Sequence, residues 1–219
     1  MAAKIIVIDA DNPNRRILEQ AALLLSGGQV VVCPTDTGYA LLVNALNEEA
    51  IQKIFAIKGR SFDNPIHVAV SNLEEAEKYA EVSNATRIMA QQFLPGALTL
   101  VLPRKQTISS LLTAGRQTIG IRIPDNKIIL ALTHLVGCPL TTTSANASGR
   151  ATPNTIEEVL DRLEDSADQV ALILDQGPIV SSGVSTLVDM STDPPQILRH
   201  GCIKDEDIVR ILTSIPNLG

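Results

Sequence analysis

The chain has 219 residues, 45% of them hydrophobic and 19% charged, with a formal net charge of −6. That length implies one domain burying roughly 70% of the unfolded chain's surface, and the composition excludes a disordered chain, a collagen and a coiled coil. With Phe 3, Tyr 2 and Trp 0 the core must be aliphatic and base-stacking platforms are missing, while the acidic balance argues against a general DNA binder.

The opening MAAKIIVIDAD is too short in apolar residues for a signal segment, and no run approaches the ~20 residues of a membrane helix. The widely spaced Cys33, Cys138 and Cys202 read as reduced residues of a cytoplasmic protein. Asn12-Pro13 supplies a cap and first-turn proline for a helix with Ile17, Leu18, Ala21, Leu24 and Leu25 on one face, stopped by Gly27-Gly28. VVVC (30–33) reads as a buried strand, followed by the turn-rich PTDTGY. Asn47 caps EEAIQKIFAIK, PIHVAV (65–70) alternates like a strand, and helices start at Asn72 and at Ser83 or Asn84.

LTLVL (98–102) and TIGIRI (118–123) are strands, Asp125 caps KIILALTHLV, and the strand PLTTTS (139–144) runs into the loop ANASGRATPN. Pro153 opens a helix TIEEVLDRLED, and strands around VALILD, STLVDM and QILR precede a last helix near DEDIVRIL. Strands interleaved with helices imply an α/β fold with a twisted, mixed or parallel sheet and flanking helices. One domain over 1–219 is expected, its core at about 12–203, with no additional C-terminal domain.

Charge is unevenly placed. Between Val82 and Ile156, Asp125 stands alone against Arg87, Arg104, Lys105, Arg116, Arg122, Lys127 and Arg150, so this segment is +6 and the remainder −12. Such a segment is either an ordinary surface or the wall of a concave basic cavity for a polyanionic small molecule. There is no GxxxxGK[ST] and no GxGxxG after a strand, so a nucleotide would be held by side chains and irregular loops. His67, His134 and His200 make no metal-ligand spacing with the cysteines, and no GxSxG elbow exists.

Four stretches carry polar chemistry. PTDTGY places small hydroxyls just after a strand, where open α/β sheets bind ligands. Lys58-Gly59-Arg60 lies at a helix C-terminus and precedes Asn64-Pro65; helix-dipole complementation alone would explain its cations. In 118–123, alternation places Thr118, Gly120 and Arg122 on one face, a possible anion-binding wall. Ser144-Ala145-Asn146 leaves a strand into a Gly/Ser/Pro loop, where Asn and Ser also favour turns for local reasons.

Together, Lys58-x-Arg60, Ser144-x-Asn146, the earlier PTDT and Ser185-Thr186-x-Val188-Asp189 resemble the YrdC-like family of threonylcarbamoyl-AMP synthases. The resemblance spans about Ile17 to Arg199, with NALNEEAIQKIFAIKGR, DNPI, LPGALTLVL, IGIRIP, SANASG and ILRHG in support, and the length matches the short, single-domain TsaC type. It implies a nucleotidyltransferase joining L-threonine, bicarbonate or CO2 and ATP, with Mg2+ on the triphosphate and release of pyrophosphate. The product would pass to tRNA threonylcarbamoyl-transferase partner proteins. By the family pattern L-threonine is bound by Thr35, Thr37, Arg122, Ser144 and Ser185, and ATP by Arg60, Asn64, Thr118, Asn146, Asn154 and Arg199. Lys58 and Arg60 stand at the reacting centre, where cations stabilise charge developing on the α-phosphate and no covalent nucleophile is required.

Departures from the pattern are local. Ala69 stands where the family has a histidine, and His67, two residues earlier on the same strand face, is the substitute on the threonine side. GYALL replaces a glycine-richer VYGLG, Asn154 stands where Ser or Thr is usual, and Val184 replaces a common Glu. The N-terminal IDADNPNRRILEQ and PTDTGYAL resemble the YciO branch. That leaves a second reading: a paralogue binding double-stranded RNA through shape and phosphate contacts, or sensing nucleotides without turnover.

Overall fold

The computed structural model describes residues 3–181 and 183–215. Where strand–helix alternation implies one sheet, the strands divide between two mixed sheets. Across its width, the first consists of β1 (Lys4–Val7), β9 (Leu172–Asp175), β2 (Val31–Thr35), β3 (Gly38–Leu42) and β8 (Thr143–Ser144). The second consists of β11 (Gln196–Arg199), β10 (Thr186–Asp189), β5 (Leu98–Pro103), β6 (Thr118–Arg122), β4 (Val68–Ala69) and β7 (Leu140–Thr141). β2 and β3 are an antiparallel hairpin in which Thr35 faces Gly38 across a two-residue turn, while β9 runs parallel to β1 and β2.

Both faces of the first sheet are covered, so β2 and β3 are buried at every position. A strand with no wet face has no reason to alternate, which accounts for the unbroken VVVC run. On one side Val31, Cys33, Ala40 and Leu42 pack against α1 (Arg15–Ser26) and α5 (Lys127–Val136) through Leu18, Ala21, Leu25, Ile128, Ile129 and Leu132. On the other, Val32, Tyr39 and Leu41 join a larger core. That core includes Ile51, Ile54 and Phe55 of α2 (Glu48–Lys58) and Leu98, Leu100, Ile119 and Ile121 of the second sheet. Burying each such aliphatic side chain stabilises the fold by roughly 1.5–3 kcal/mol relative to exposure.

Helix termini follow local polar chemistry, with two shifts from the sequence expectation. The first cap is Asn14 rather than Asn12, because the Asp9 carboxylate accepts the Asp11 and Asn12 N–H groups and fixes 9–12 as a turn. At α5 the cap is Asn126 rather than Asp125, its Oδ1 accepting from Ile128 N and Ile129 N. Asn47 caps α2, and Gly59 ends it at φ 53, the left-handed conformation that glycine adopts freely. The start TIEEVLDRL is capped by Thr155 in α6 (Ile156–Leu163), not opened by Pro153.

Two expected strands are shorter than their patterns. Of 65–70 only Val68 and Ala69 pair within a sheet; Ile66 N bonds to Leu112 O instead, as part of a loop contact. PLTTTS breaks at Thr142: β7 belongs to the second sheet and β8 to the first, so the chain crosses between sheets there. The three cysteines are free thiols, Cys33 and Cys138 buried. No described helix is long and apolar enough to cross a membrane.

Segment 199–203 closes over the start of β10. Thr186 Oγ1 donates to Ile203 O, and a Cβ built on Gly201 would lie 2.4 Å from both Thr186 N and Val184 O. Backbone atoms cannot yield as a side chain can. Gly201→Ala is therefore expected to destabilise the protein by about 1–3 kcal/mol, as overpacking does. Urea denaturation measures this; a midpoint equal to wild type would contradict the close approach.

Candidate active site

The two sheets meet at a cavity of about 170 Å³. The β2–β3 turn, β5, β6, the crossing at Thr142 and the ends of β10 and β11 all reach it. Among the residues singled out from the sequence, Thr35, Thr37, Arg60, His67, Arg122, Ser144, Ser185 and Arg199 line it. Lys58, Asn64, Thr118, Asn146 and Asn154 do not.

The turn residues are held by their own hydroxyls. Thr35 Oγ1 donates to Gly38 O at 2.7 Å and accepts from Thr37 N at 3.1 Å. Gly38 has φ +119, and a Cβ there would lie 2.5 Å from Thr152 Cγ2 and 2.9 Å from Pro153 O. Glycine is required on both counts.

Arg122 is 6% exposed. Its Nη1 donates to Thr37 Oγ1 at 3.0 Å and its Nη2 to Asp36 Oδ1 at 2.6 Å. Arg199 donates Nε and Nη2 to Ser185 O and Nη2 also to Ser185 Oγ, which in turn meets Thr99 Oγ1 at 2.8 Å. Arg60 donates to the carbonyls of Asn64 and Pro65, which is how Asn64 enters the site, by its backbone. Burial lowers all three guanidinium pKa values, although arginine stays charged at any physiological pH.

His67 sits among these cations, and burial followed by the charges of Arg199, Arg60 and Arg122 lowers its pKa to about 3. It is a neutral imidazole with one donor and one acceptor nitrogen. Its ring lies on β6 where a Cβ at Gly120 would come within 2.5 Å of Cδ2, so the glycine between Thr118 and Arg122 makes room for it. Of the two positions in GYALL where a glycine is lost, Ala40 lines the cavity, whereas Leu42 packs in the core against α1 and α5.

Four buried side-chain atoms lack a hydrogen-bond partner among the described residues: Asp36 Oδ2, Arg122 Nε, Thr142 Oγ1 and Asn154 Oδ1. Arg122 and Thr142 line the cavity, Asp36 pairs with Arg122, and Asn154 Oδ1 is 3.2 Å from the Cβ position of Gly38. An unpaired buried polar atom costs roughly 1–3 kcal/mol. Two of the four thus belong to residues of the cavity wall, where a polar ligand would be needed to satisfy them.

The family model for Sua5, YciO and YrdC proteins, described as "Telomere recombination", matches residues 23–201. The chain belongs to the Sua5/YciO/YrdC family. A Bacillus subtilis relative named threonylcarbamoyl-AMP synthase is 37% identical over 211 residues, covering 95% of this chain and 60% of that protein. A Pyrococcus abyssi synthase is likewise matched over only 57% of its length, so the chain spans under two thirds of these two relatives. A Methanocaldococcus jannaschii relative is covered over 93% of its length at 36% identity. Among solved structures, P. abyssi Sua5 complexed with L-threonine superposes with TM-score 0.89 at 33% identity, over 96% of this chain and 61% of that one. E. coli YciO superposes with TM-score 0.83 at 31% identity, over 92% and 97%.

Within this Sua5/YciO/YrdC fold the acid-poor segment 82–156 supplies Thr99, Thr142, Thr143, Ser144 and Thr152 to the cavity wall but does not make that wall basic. Arg122 alone of its seven cations lines it. Arg87 pairs with Glu77 and Arg150 with Glu164, while Arg104, Lys105 and Lys127 donate to backbone carbonyls elsewhere. The other two guanidiniums at the cavity, Arg60 and Arg199, come from outside that segment.

Thr118 opens β6 opposite Pro103, on the strand face expected but beyond the cavity. Asn154 N donates to Glu158 Oε2, which ties the loop to α6. Thr99, Thr142, Thr143 and Thr152 line the cavity without having been singled out from the sequence. The usable signal was a hydroxyl inside an apolar strand, fully buried in the case of Thr99.

Lys58 stands one layer behind. It is 2% exposed, and its Nζ donates to Ser144 O at 2.5 Å, Asn146 O at 2.8 Å and Asn146 Oδ1 at 2.8 Å. Asn146 Oδ1 also accepts from Ser144 Oγ, and its Nδ2 donates to the carbonyls of Arg150 and Ala151. The end of α2 and the loop after β8 are thereby fastened together. Burial, with the charge of Arg60 second, lowers the Lys58 ammonium to about 7. Unfolded chain keeps that proton up to the ordinary value near 10.5 and so binds more protons than folded chain between the two values. The Lys58 contribution to stability should therefore rise as pH increases from 7 to 10.5. Urea denaturation of wild type and Lys58→Met at pH 7, 8 and 9 tests this: wild type should gain on the variant at each step, and parallel pH dependences would refute it.

Proposed function

We propose that this chain is a threonylcarbamoyl-AMP synthase, condensing L-threonine, bicarbonate or CO2 and ATP into threonylcarbamoyl-AMP and pyrophosphate. The observation that carries the reading is one cavity edged by three guanidinium groups and eight Ser or Thr hydroxyls. The relatives named for this activity and the threonine complex of P. abyssi Sua5 support it.

In this reading Arg122 takes the threonine carboxylate, and Thr35, Thr37, Ser144 and Ser185 surround the amino acid with hydroxyls that can read its side-chain OH. His67, held neutral, offers an acceptor nitrogen without adding a fourth charge. The threonine amine and CO2 give an N-carboxylate whose oxygen attacks the α-phosphorus, and pyrophosphate leaves. Arg60 and Arg199 bear on the phosphate charge that develops. Asn64, Asn146 and Lys58 position these groups through the carbonyl and amide contacts described above. Asn154 and Thr118 belong to the outer wall of the ATP side.

Mg2+ enters with the triphosphate as part of the substrate. Among the described residues no group of three His, Cys, Asp or Glu side chains is placed to hold a resident metal. The product would be consumed by a tRNA-modifying transferase in the cytoplasm.

Purified protein should release pyrophosphate only when L-threonine and bicarbonate are both present with MgATP, and mass spectrometry should find the mixed anhydride. Arg122→Ala should raise the threonine KM about 10–100-fold, the worth of a charge-assisted hydrogen bond of ~1.5–3 kcal/mol. ATP hydrolysis that proceeds equally without threonine would sink the proposal.

A further inference from the structure

The three guanidiniums at the cavity are not electrically alike. Arg60 and Arg199 bond only to carbonyl oxygens and one hydroxyl among the described residues. Arg122 alone has a carboxylate partner, Asp36, with side chains 7% and 14% exposed. Asp36 does not line the cavity. It faces an adjoining one of about 440 Å³, together with Asp11 and Asp125, and so approaches Arg122 from behind. Adjacent residues of one tight turn thus take the two terminal nitrogens of the guanidinium, Asp36 taking Nη2 and Thr37 taking Nη1. Nε–H is left without a partner among the described residues.

From this arrangement we infer that Asp36 is the specificity-determining residue of the amino-acid end, admitting the single carboxylate group of an amino acid and excluding compact inorganic dianions such as sulfate. The inference rests on the synthase reading only in taking the Arg122 end as the place where the amino acid binds. A cation and an anion 2.6 Å apart leave little net charge at ligand distance. Sulfate, with both charges on one centre, would lose its hydration there with little return. An amino acid brings its own ammonium and needs only guanidinium N–H groups that Thr37 and Asp36 leave free, together with the hydroxyls. The unneutralised pair, Arg60 and Arg199, keeps its attraction for the triphosphate. Without Asp36 the cavity would hold three equivalent cations, and phosphate-like anions would compete for the place of the amino acid.

The test uses calorimetric titration of the apo protein with L-threonine, at increasing sodium sulfate and constant ionic strength, so that no turnover is needed. In wild type, sulfate should leave the apparent Kd for L-threonine within twofold. In Asp36→Asn, sulfate should compete, raising that Kd at least tenfold at the same concentrations. Asp36→Glu, which keeps the charge, should again exclude sulfate. Competition in wild type overturns the inference without any variant, as does an Asp36→Asn protein as indifferent to sulfate as wild type. Threonine binding with either of those patterns removes this inference and leaves the synthase reading standing. A wild-type protein that binds no L-threonine removes both.

Discussion

A guanidinium taken out of water must find fixed acceptors or lose several kcal/mol, and the fold around Arg122 is arranged to meet that demand. The β2–β3 turn delivers a carboxylate and a hydroxyl from consecutive residues to its two terminal nitrogens. That turn holds its shape because Thr35 bonds across it and because Gly38 tolerates both φ +119 and the contact with Thr152. The strand bearing Arg122 must itself be thin at Gly120, where the imidazole of His67 lies against it. Each local feature answers to the same requirement: a buried positive charge held in place with its acceptors supplied.

Charge in the rest of the cavity follows a second arrangement. Arg60 and Arg199 are anchored by backbone carbonyls, which fix direction without cancelling charge. Behind them, Lys58 is consumed by the carbonyls and amide of the 144–146 segment, so its place near the site is that of a fastener between α2 and the loop after β8. Lysine at this depth carries a lowered pKa because burial opposes its charge. Three guanidiniums and a ring of hydroxyls at one cavity are the means for positioning and electrostatic stabilisation.

Local signals in the chain translated well into elements wherever a helix begins or ends. Asn47, Ser83 and Gly59 act where short-range chemistry places them. The exceptions are instructive. Asp9 pre-empted Asn12 as a cap by forming its own turn, and Asn126 displaced Asp125 by bonding two amides at once. PLTTTS read as one strand because its pattern is continuous, yet the chain changes sheets at Thr142. Hydrophobic pattern reports burial, and both halves of that segment are near the interior whichever sheet receives them.

For the site, the residue types and their spacing were legible: Thr35 and Thr37, Lys58 and Arg60, Arg122, Ser144 and Asn146, Ser185 and Arg199 are all visible as polar groups beside apolar strands. Their convergence on one cavity was not, nor was the division into groups that line it and groups that stand behind. The acid-poor segment shows why. Charge density along a chain records composition, but two residues adjacent in that stretch face opposite ways once on a strand, and only Arg122 turned inward. The chain alone therefore determined the α/β class, the aliphatic core and the cast of candidate side chains, because periodicity and capping are properties of near neighbours. Packing of two sheets decided which guanidinium is neutralised by Asp36 and which remain free, because that depends on distances between residues 86 positions apart in sequence.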